Sequence, residues 1–301
     1  MMLAYAMWVL SVLLLIVGQL AGDLHQAIVE ERQATERVML RSAAISGLEV
    51  YRSTLVANAR VDFSHHRSAL VHDHAACSFQ AVEGIRTVCY HLNRGRSRTQ
   101  TALTLGACDE ESRLNILTAD IESIARLPGV TITMAENLNA YMSSEPVMPP
   151  RALEDLRVVS GWESVDFSEL SWLITFYGSG KINLNTASTD VLRLQGLSDR
   201  SVVLLESFRS GPNGVKGDSD DRFFKGLSEI VPRLDEYGAA DDILLEYNNA
   251  IQLGSLTPKS EYYRVRARSI NETTGRQFEV RAIVNVEDNG TIVAWEEYQP
   301  S

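Results

Sequence analysis

The chain has 301 residues, of which 45% are hydrophobic and 22% are charged, and its formal net charge is −11. This length allows two or three domains of about 100–150 residues. The acidic balance argues against a sequence-independent nucleic-acid binder, because such proteins need an excess of Lys and Arg to displace counterions from phosphates. The first 22 residues carry no charged side chain, so the average composition hides a membrane-type segment ahead of a polar body.

The N-terminal segment 1–22 is long enough for one transmembrane helix, because about 20 helical residues cross the hydrocarbon core. The alternative is a cleaved secretory signal, but its basic region, shorter apolar run and small-residue cleavage site are not found here. No proline occurs before Pro128, so the helix is predicted to continue through 23–60 with Gly47 as a weak point. The apolar positions of this amphipathic part form one stripe, made of Val38, Ile45, Leu48 and Leu55.

Short alternating runs after the helix predict strands of a small sheet in 61–108. Alternation returns in 256–301, where turn signals at Thr274-Gly275 and Asn289-Gly290 indicate a three-stranded antiparallel meander. The stretch 109–255 between them is predicted to be helical. The predicted fold class is therefore α+β: an N-terminal helix packed on a small antiparallel sheet, with an inserted all-α domain.

The inserted stretch contains an internal repeat. RLNILTA, starting at Arg113, matches KINLNTA, starting at Lys181, and LPGV, starting at Leu127, matches LQGL, starting at Leu194. Each copy runs into a second short helix, which predicts two helix–hairpin–helix modules, 109–180 and 181–255. Asn115 and Asn183 are expected to stabilise the turn into the first helix of each module, since Asn favours caps and turns.

The motif KINLNTASTDVLRLQGL, preceded by PPRALEDLRVVSGW, resembles the central region of the K-type minor pseudopilin of bacterial type II secretion systems (general secretion pathway protein K). DEESRLNI, SEYYRVRARS and the apolar LAYAMWVLSVLLLI resemble three other parts of that family, so the resemblance covers nearly the whole chain. It implies a pilin-like fold with an inserted helical domain. The sequence departs from the family at Ile116-Leu117, where a second Asn is expected, and no basic leader ending in Gly precedes the apolar run. No cleavage site is therefore carried over.

The resemblance implies a function in protein secretion across the outer membrane, as a minor pseudopilin at the tip of the pseudopilus. Residues 1–22 would anchor the chain in the bacterial inner membrane, with the body in the periplasm. The implied partners are other minor pseudopilins and the inner-membrane secretion platform, and the stripe Val38, Ile45, Leu48 and Leu55 is the expected interface. No catalytic motif such as G-x-S-x-G, H-E-x-x-H or a phosphate loop is present, so no enzyme is expected.

The alternative function is a membrane-anchored helix–hairpin–helix DNA-binding protein of a DNA-uptake system. Such hairpins present backbone N–H groups to a phosphate and need a second glycine for close approach. The matching positions here are Thr131 and Ser198, and Asp199 follows immediately and would repel a phosphate. Nucleic acid is therefore not the expected partner.

Two groups of residues are candidate metal ligands. His65, His66, His72 and His74 lie within ten residues, but their spacing matches no closed zinc module, and a solvated linker is the alternative. Asp218, Asp220 and Asp221 lie in a Gly-rich loop of the kind that hard cations favour, although the later ligands of an EF-hand are missing. The resemblance implies a structural calcium ion, without assigning its ligands, and a solvated loop remains the alternative.

The chain has three cysteines, Cys77, Cys89 and Cys108. Cys77 and Cys89 flank the predicted turn at Glu83-Gly84, where paired strands would bring them close, and an extracytoplasmic location favours oxidation. A disulfide between Cys77 and Cys89 is predicted, which leaves Cys108 unpaired.

Overall fold

The computed structural model describes residues 2–60, 77–94, 101–144, 148–215 and 220–300. One long helix, α1 (Met2–Arg60), comes first, and four strands follow it: β1 (Ser78–Val82), β2 (Ile85–Arg94), β3 (Thr101–Leu105) and β4 (Cys108–Asp109). Eleven further helices and strands follow in chain order: β5 (Leu114–Asn115), α2 (Ile121–Ala125), α3 (Ile132–Ser143), α4 (Phe167–Leu173), β6 (Ile174–Thr175), β7 (Ile182–Asn183), α5 (Thr189–Leu194), α6 (Asp199–Arg209), α7 (Leu227–Glu236), α8 (Asp241–Gln252) and β8 (Leu256–Thr257). The chain then ends in β9 (Tyr262–Asn271), β10 (Gln277–Asn285) and β11 (Thr291–Tyr298).

Seven of the strands form one antiparallel sheet, in the order β1-β2-β9-β10-β11, with β3 beside β2 and β4 beside β9. The C-terminal strands thus lie next to β2 although about 170 residues separate them in sequence, because the helical segment is inserted between β4 and β9. The predicted fold class, a long N-terminal apolar helix with an antiparallel sheet, is confirmed.

Helix α1 is continuous over 59 residues, which corresponds to a length of about 88 Å. Its apolar first half is exposed, and it is long and apolar enough to cross a membrane. Gly47 does not interrupt the helix, which runs without a break to Arg60. A Cβ atom at Gly47 would meet Thr87 Cγ2 and would lie 2.8 Å from Phe79 Cζ, so this glycine allows the sheet to approach the helix closely.

The second half of α1 packs one face against the sheet and forms the first hydrophobic core with β2, β9 and β10. Leu48 and Leu55 are buried in this core, Ile45 is partly buried at its edge, and Val38 is 63% exposed. The prediction that the whole stripe faces partner proteins is therefore wrong for Leu48 and Leu55, because the sheet of the same chain covers them. Only Val38, on the exposed side, remains fully available for a partner.

The inserted segment has a second core of its own, built around Trp162, Leu205, Phe208, Phe224 and Tyr247. Each repeat begins with a two-residue strand that pairs in parallel with another two-residue strand: β5 with β6, and β7 with β8. These parallel pairs hold the beginning of each repeat next to a later part of the insertion. The second helix of each repeat is observed as α3, which begins at Ile132, and α6, which begins at Asp199.

The inserted segment joins the sheet at the end that is farthest from the apolar half of α1. At the near end of the sheet, Asn271 of β9 donates a hydrogen bond to Glu36 of α1, at 2.7 Å. At the far end, the backbone N–H of Ala107, just before the insertion, donates to the Tyr51 hydroxyl at 3.0 Å. Residues 36 and 51 lie on the same straight helix, so these contacts fix the insertion at the distal end of the molecule.

Candidate functional site

The two repeat asparagines occupy equivalent positions in the two modules. Asn115 Oδ1 accepts a hydrogen bond from the Leu117 N–H at 3.0 Å, and Asn183 Oδ1 accepts one from the Asn185 N–H at 2.9 Å. The prediction that they stabilise the turn into the first helix is confirmed. The helix N-caps themselves lie five residues later, at Asp120 and Ser188.

The side-chain amide nitrogen, Nδ2, has different partners in the two asparagines. Asn115 Nδ2 donates to the Gly178 carbonyl, within the first module, at 3.1 Å. Asn183 Nδ2 donates instead to Asp109 Oδ2 at 3.0 Å and to Ser260 Oγ at 2.7 Å. Since Asp109 ends β4 and Ser260 precedes β9, Asn183 connects the second module to both points where the insertion meets the sheet.

Asp109 is buried at this junction. Its Oδ1 accepts the Glu111 N–H at 2.8 Å, and its Oδ2 accepts hydrogen bonds from Asn183 and from the Thr186 hydroxyl. Burial raises the pKa of Asp109 to about 6 and the nearby Glu111 carboxylate adds to the rise, while hydrogen bonds from Ser260 and Thr186 oppose it. The junction therefore contains a carboxyl group that titrates close to neutral pH.

The next two acidic residues extend the junction in different directions. Glu111 accepts hydrogen bonds from the Ser179 N–H and from the Glu261 N–H, both at 2.9 Å, so it connects the insertion to the beginning of β9. Glu110 is fully buried and pairs with Arg264, with Nε to Oε1 at 2.8 Å. Although burial acts in the opposite direction, Arg264 and Arg113 hold the pKa of Glu110 below its usual value.

Thr131 and Ser198 stand where DNA-binding hairpins have the second glycine that contacts a phosphate. Thr131 and Ser198 are the N-caps of α3 and α6, and their hydroxyls accept the N–H groups of Met134 and Ser201, both at 3.3 Å. In the second hairpin the Glu246 carboxylate, from α8, accepts the Ser198 N–H and lies 2.8 Å from Ser198 Oγ. An internal carboxylate thus occupies the position that a phosphate would need, which disfavours DNA binding there.

The candidate metal ligands are only partly within the described residues. His65, His66, His72, His74 and Asp218 lie outside them. Asp220 lies beside the loop, where its Oδ2 accepts the Asn213 N–H at 3.3 Å. Within the described ranges, no three His, Cys, Asp or Glu side chains converge in a way that could hold a metal ion. Asp220 and Asp221 alone do not make a calcium site, and the calcium prediction stays untested.

Cys77 and Cys89 are both buried between α1 and the sheet. The register of β1 and β2 pairs Ser78 with Val88, which brings Cys77 next to Cys89 across the hairpin. Both are thiols in the structure, and burial, together with the neighbouring Cys77, raises the pKa of Cys89 to about 12. The disulfide between them stays a prediction.

Sequence reasoning did not find the roles of Asp109, Glu111 and Glu246. A charged residue in a helical or loop segment is usually solvent-exposed, and nothing in the sequence around Glu246 marks it as the partner of a hairpin 48 residues away. The three acidic side chains of the DEES motif contact residues of both the sheet and the insertion.

Comparisons with known proteins find similarity both in sequence and in structure. No family model matches the chain. Endonuclease/exonuclease/phosphatase family domain-containing protein 1 from Xenopus laevis is 30% identical over 134 residues, which cover 36% of this chain and 24% of that protein. The chain thus spans about a quarter of the length of this relative, and the match carries no activity across.

A structural neighbour is a chain in the crystal structure of the GspK-GspI-GspJ complex from the enterotoxigenic Escherichia coli Type 2 Secretion System. The superposition has a TM-score of 0.56 at 12% sequence identity, and it covers 90% of this chain and all of that chain. At this identity the likeness concerns the fold. The chain therefore has a pseudopilin-like fold, with the helix, the sheet and the insertion all included in the match.

Proposed function

We propose that the chain is a K-type minor pseudopilin that sits at the tip of a type II secretion pseudopilus and supports protein secretion. It is anchored in the bacterial inner membrane by residues 1–22, and its body lies in the periplasm. It has a structural role and no catalytic one. The observation that carries the proposal is the pseudopilin-like fold over nearly the whole chain, combined with the position of the insertion.

The position of the insertion supports a place at the tip. Pilin-like filaments grow by head-to-tail contacts that repeat along a screw axis. The insertion leaves the sheet beside Ala107 and Tyr51, at the end of α1 that is farthest from the apolar half. A bulky domain at that end would collide with a subunit docked above it, so a chain of this shape terminates a filament.

The surface of α1 supports assembly with other pilin-like chains. Its apolar first half is exposed, with Leu3, Leu15 and Leu20 each more than half exposed. Such a surface requires lipid or an equally apolar protein partner. Val38, above the apolar segment, continues this exposed side at the level where α1 begins to contact the sheet. Other minor pseudopilins and the inner-membrane platform are the proposed partners.

The test is co-purification of the full-length chain, from detergent-extracted membranes, with the pilin-like proteins of its own secretion locus. Val38→Asp is expected to abolish the complex and secretion of the locus substrates, because a charge on this side opposes a helix-to-helix interface. Val203→Asp is the matched control, since Val203 is also 63% exposed but lies on α6 of the insertion. A wild-type chain that purifies without these partners, or equal loss with both variants, would contradict the proposal.

A further inference from the structure

The face of the sheet that points away from α1 carries a row of arginines. Arg264, Arg266 and Arg268 alternate along β9, while Tyr263, Val265 and Ala267 between them are buried against α1. The register of β9 and β10 places Arg281 directly opposite Arg266. Like charges that face each other across two strands destabilise a sheet, so this arrangement needs a reason beyond folding.

Carboxylates neutralise the row unevenly. Glu110 pairs with Arg264 at 2.8 Å, and the buried Glu279 pairs with Arg268 at 2.7 Å and with Arg281 at 2.6 Å. The Arg266 guanidinium is 3.9 Å from a carboxylate oxygen of Glu279, and among the described residues it has no side-chain hydrogen bond. Its side chain is nevertheless only 18% exposed.

Arg266 is thus an under-neutralised cation in a largely desolvated position. Burial lowers its pKa from the usual value, and the neighbouring Arg281 and Arg264 lower it further. A guanidinium keeps its proton in proteins, so the cost appears as lost folding stability. An anion that approached the guanidinium would remove this cost.

A cleft of about 270 Å³ gives access to this position. One wall is the sheet, with Arg264, Arg266, Arg281 and Glu296, and the other wall comes from the insertion, with Arg151, Glu154, Phe176 and Tyr177. The cleft therefore combines the paired N–H donors of arginine guanidinium groups with an aromatic wall. Guanidinium groups bind carboxylates through paired N–H donors, and aromatic rings cover an apolar side chain next to the anion.

We propose that this cleft binds an acidic segment of a partner protein, with a Glu or Asp carboxylate on Arg266 and Arg281 and an adjacent apolar side chain against Phe176 and Tyr177. Charge complementarity supports this occupant. The chain as a whole carries a net charge of −11, whereas four arginines and two glutamates line the cleft, and this local excess of arginine favours an acidic segment there. The proposal is independent of the proposed function, since it concerns the chemistry of one cleft.

The experiment uses the full-length chain in detergent micelles and a fluorescein-labelled hexapeptide that contains two glutamates and two phenylalanines. Binding is measured by fluorescence anisotropy, and a peptide with glutamines in place of glutamates is the chemical control. Arg266→Gln is expected to weaken binding by about tenfold or more, because it removes a charge-assisted donor pair. Arg266→Lys should give an intermediate loss, since it keeps the charge and loses the fork.

Arg200→Gln is the matched control, because Arg200 is an exposed arginine of the insertion, 66% accessible and outside the cleft. It should change binding by less than about twofold. The melting temperature of Arg266→Gln without peptide should equal or exceed that of the wild type, because the contact between two arginines is relieved. This measurement distinguishes a lost site from a lost fold.

Three outcomes would overturn the proposal. The first is binding of the glutamine peptide to the wild type as tight as that of the glutamate peptide, and the second is a loss of binding with Arg200→Gln as large as that with Arg266→Gln. Inorganic phosphate that displaces the peptide at equal concentration would show a general anion site in place of one for an acidic segment. Salt-sensitive binding that requires both the glutamates and Arg266 is the supporting result.

Discussion

Replacement of Asp109 by Asn tests whether the junction between sheet and insertion contains a carboxyl group that titrates near neutral pH. Asn keeps an oxygen acceptor for the Glu111 N–H and is neutral at every pH. It loses the acceptor for Asn183 Nδ2, which now lies 3.0 Å from Asp109 Oδ2. The loss of that hydrogen bond costs about 1 kcal/mol.

The expected difference in stability between the variant and the wild type follows from the pKa of Asp109, which is raised from 3.8 to about 6 in the folded chain. Because the folded state binds this proton more tightly than the unfolded state, the carboxyl contributes its full stability below pH 3.8 and loses it as the pH rises through 6. The rise corresponds to about 3 kcal/mol, roughly half of which is lost between pH 5 and pH 7.5. The variant should therefore be more stable than the wild type by about 2 kcal/mol at pH 7.5 and by less than about 1 kcal/mol at pH 5.

The assay is thermal unfolding of the full-length chain in detergent at pH 5.0, 6.0 and 7.5, followed by intrinsic tryptophan fluorescence. The quantity of interest is the melting temperature of the variant minus that of the wild type, because titrating groups that do not interact with Asp109 cancel in this difference. It should fall by about 3–5 °C from pH 7.5 to pH 5.

Asn183→Ala is the control for this experiment. It removes a hydrogen-bond donor to Asp109 and keeps the carboxyl group, so it should be less stable than the wild type at all three pH values and should retain the pH dependence. Parallel pH profiles for the wild type and Asp109→Asn would refute the reasoning. A difference that grows on acidification would do so as well, because it would mean that the folded state favours the ionised carboxylate.

Three further predictions concern stability and nucleic acid. Asn183→Ala should lower the free energy of unfolding by about 3 kcal/mol and Asn115→Ala by about 1–2 kcal/mol, as measured by chemical denaturation. The difference is expected because the amide nitrogen of Asn183 donates to two side chains, whereas that of Asn115 donates to one carbonyl. Gly47→Ala should cost about 1–3 kcal/mol through overpacking against the sheet, whereas Gly22→Ala, with nothing within 4 Å, should change stability by less than about 1 kcal/mol. Glu246→Ala should destabilise the second hairpin by about 1–3 kcal/mol, and the wild type should give no shift of duplex DNA at physiological salt.

Each of these has a clear opposing result. Equal costs for the two asparagine variants would mean that the contacts of Asn183 to the junction add nothing. A Gly47→Ala variant as stable as Gly22→Ala would show that the helix and the sheet are less closely packed than the structure indicates. A tight, salt-resistant DNA complex of the wild type would favour the alternative function in DNA uptake.

Periodicity and composition were sufficient to predict the α+β architecture. The 22 uncharged residues and the absence of early prolines predict the long helix, and period-two alternation predicts β9 and β10. The same reasoning failed for Leu48 and Leu55, because an amphipathic stripe shows that a face is covered but does not identify what covers it. The close contact of Gly47 with the sheet could not be predicted for a related reason, since helix propensity contains no information about a neighbouring strand.

The internal repeat was visible in the sequence, but the different use of its two copies was not. Asn115 and Asn183 occupy matching positions in the two motifs, and only the tertiary structure brings Asp109 and Ser260 to the second one. Short parallel pairs such as β5 with β6 are two residues long, which is below the length at which alternation can be recognised. Arg266 and Arg281 also lie on an alternating pattern, but their mutual register depends on strand pairing.

The two ends of the insertion are neighbours: Cys108 pairs with Arg264, and Asp109 pairs with Tyr263. A segment that begins and ends on adjacent strands can be lengthened, shortened or replaced without any change in the order or register of the sheet. The pilin-like part and the helical part can therefore vary independently over evolution, provided that the few contacts of the junction are kept. A chimaera that carries another helical domain between residues 109 and 260 should keep the same sheet, and the surface presented at its far end would change with the graft.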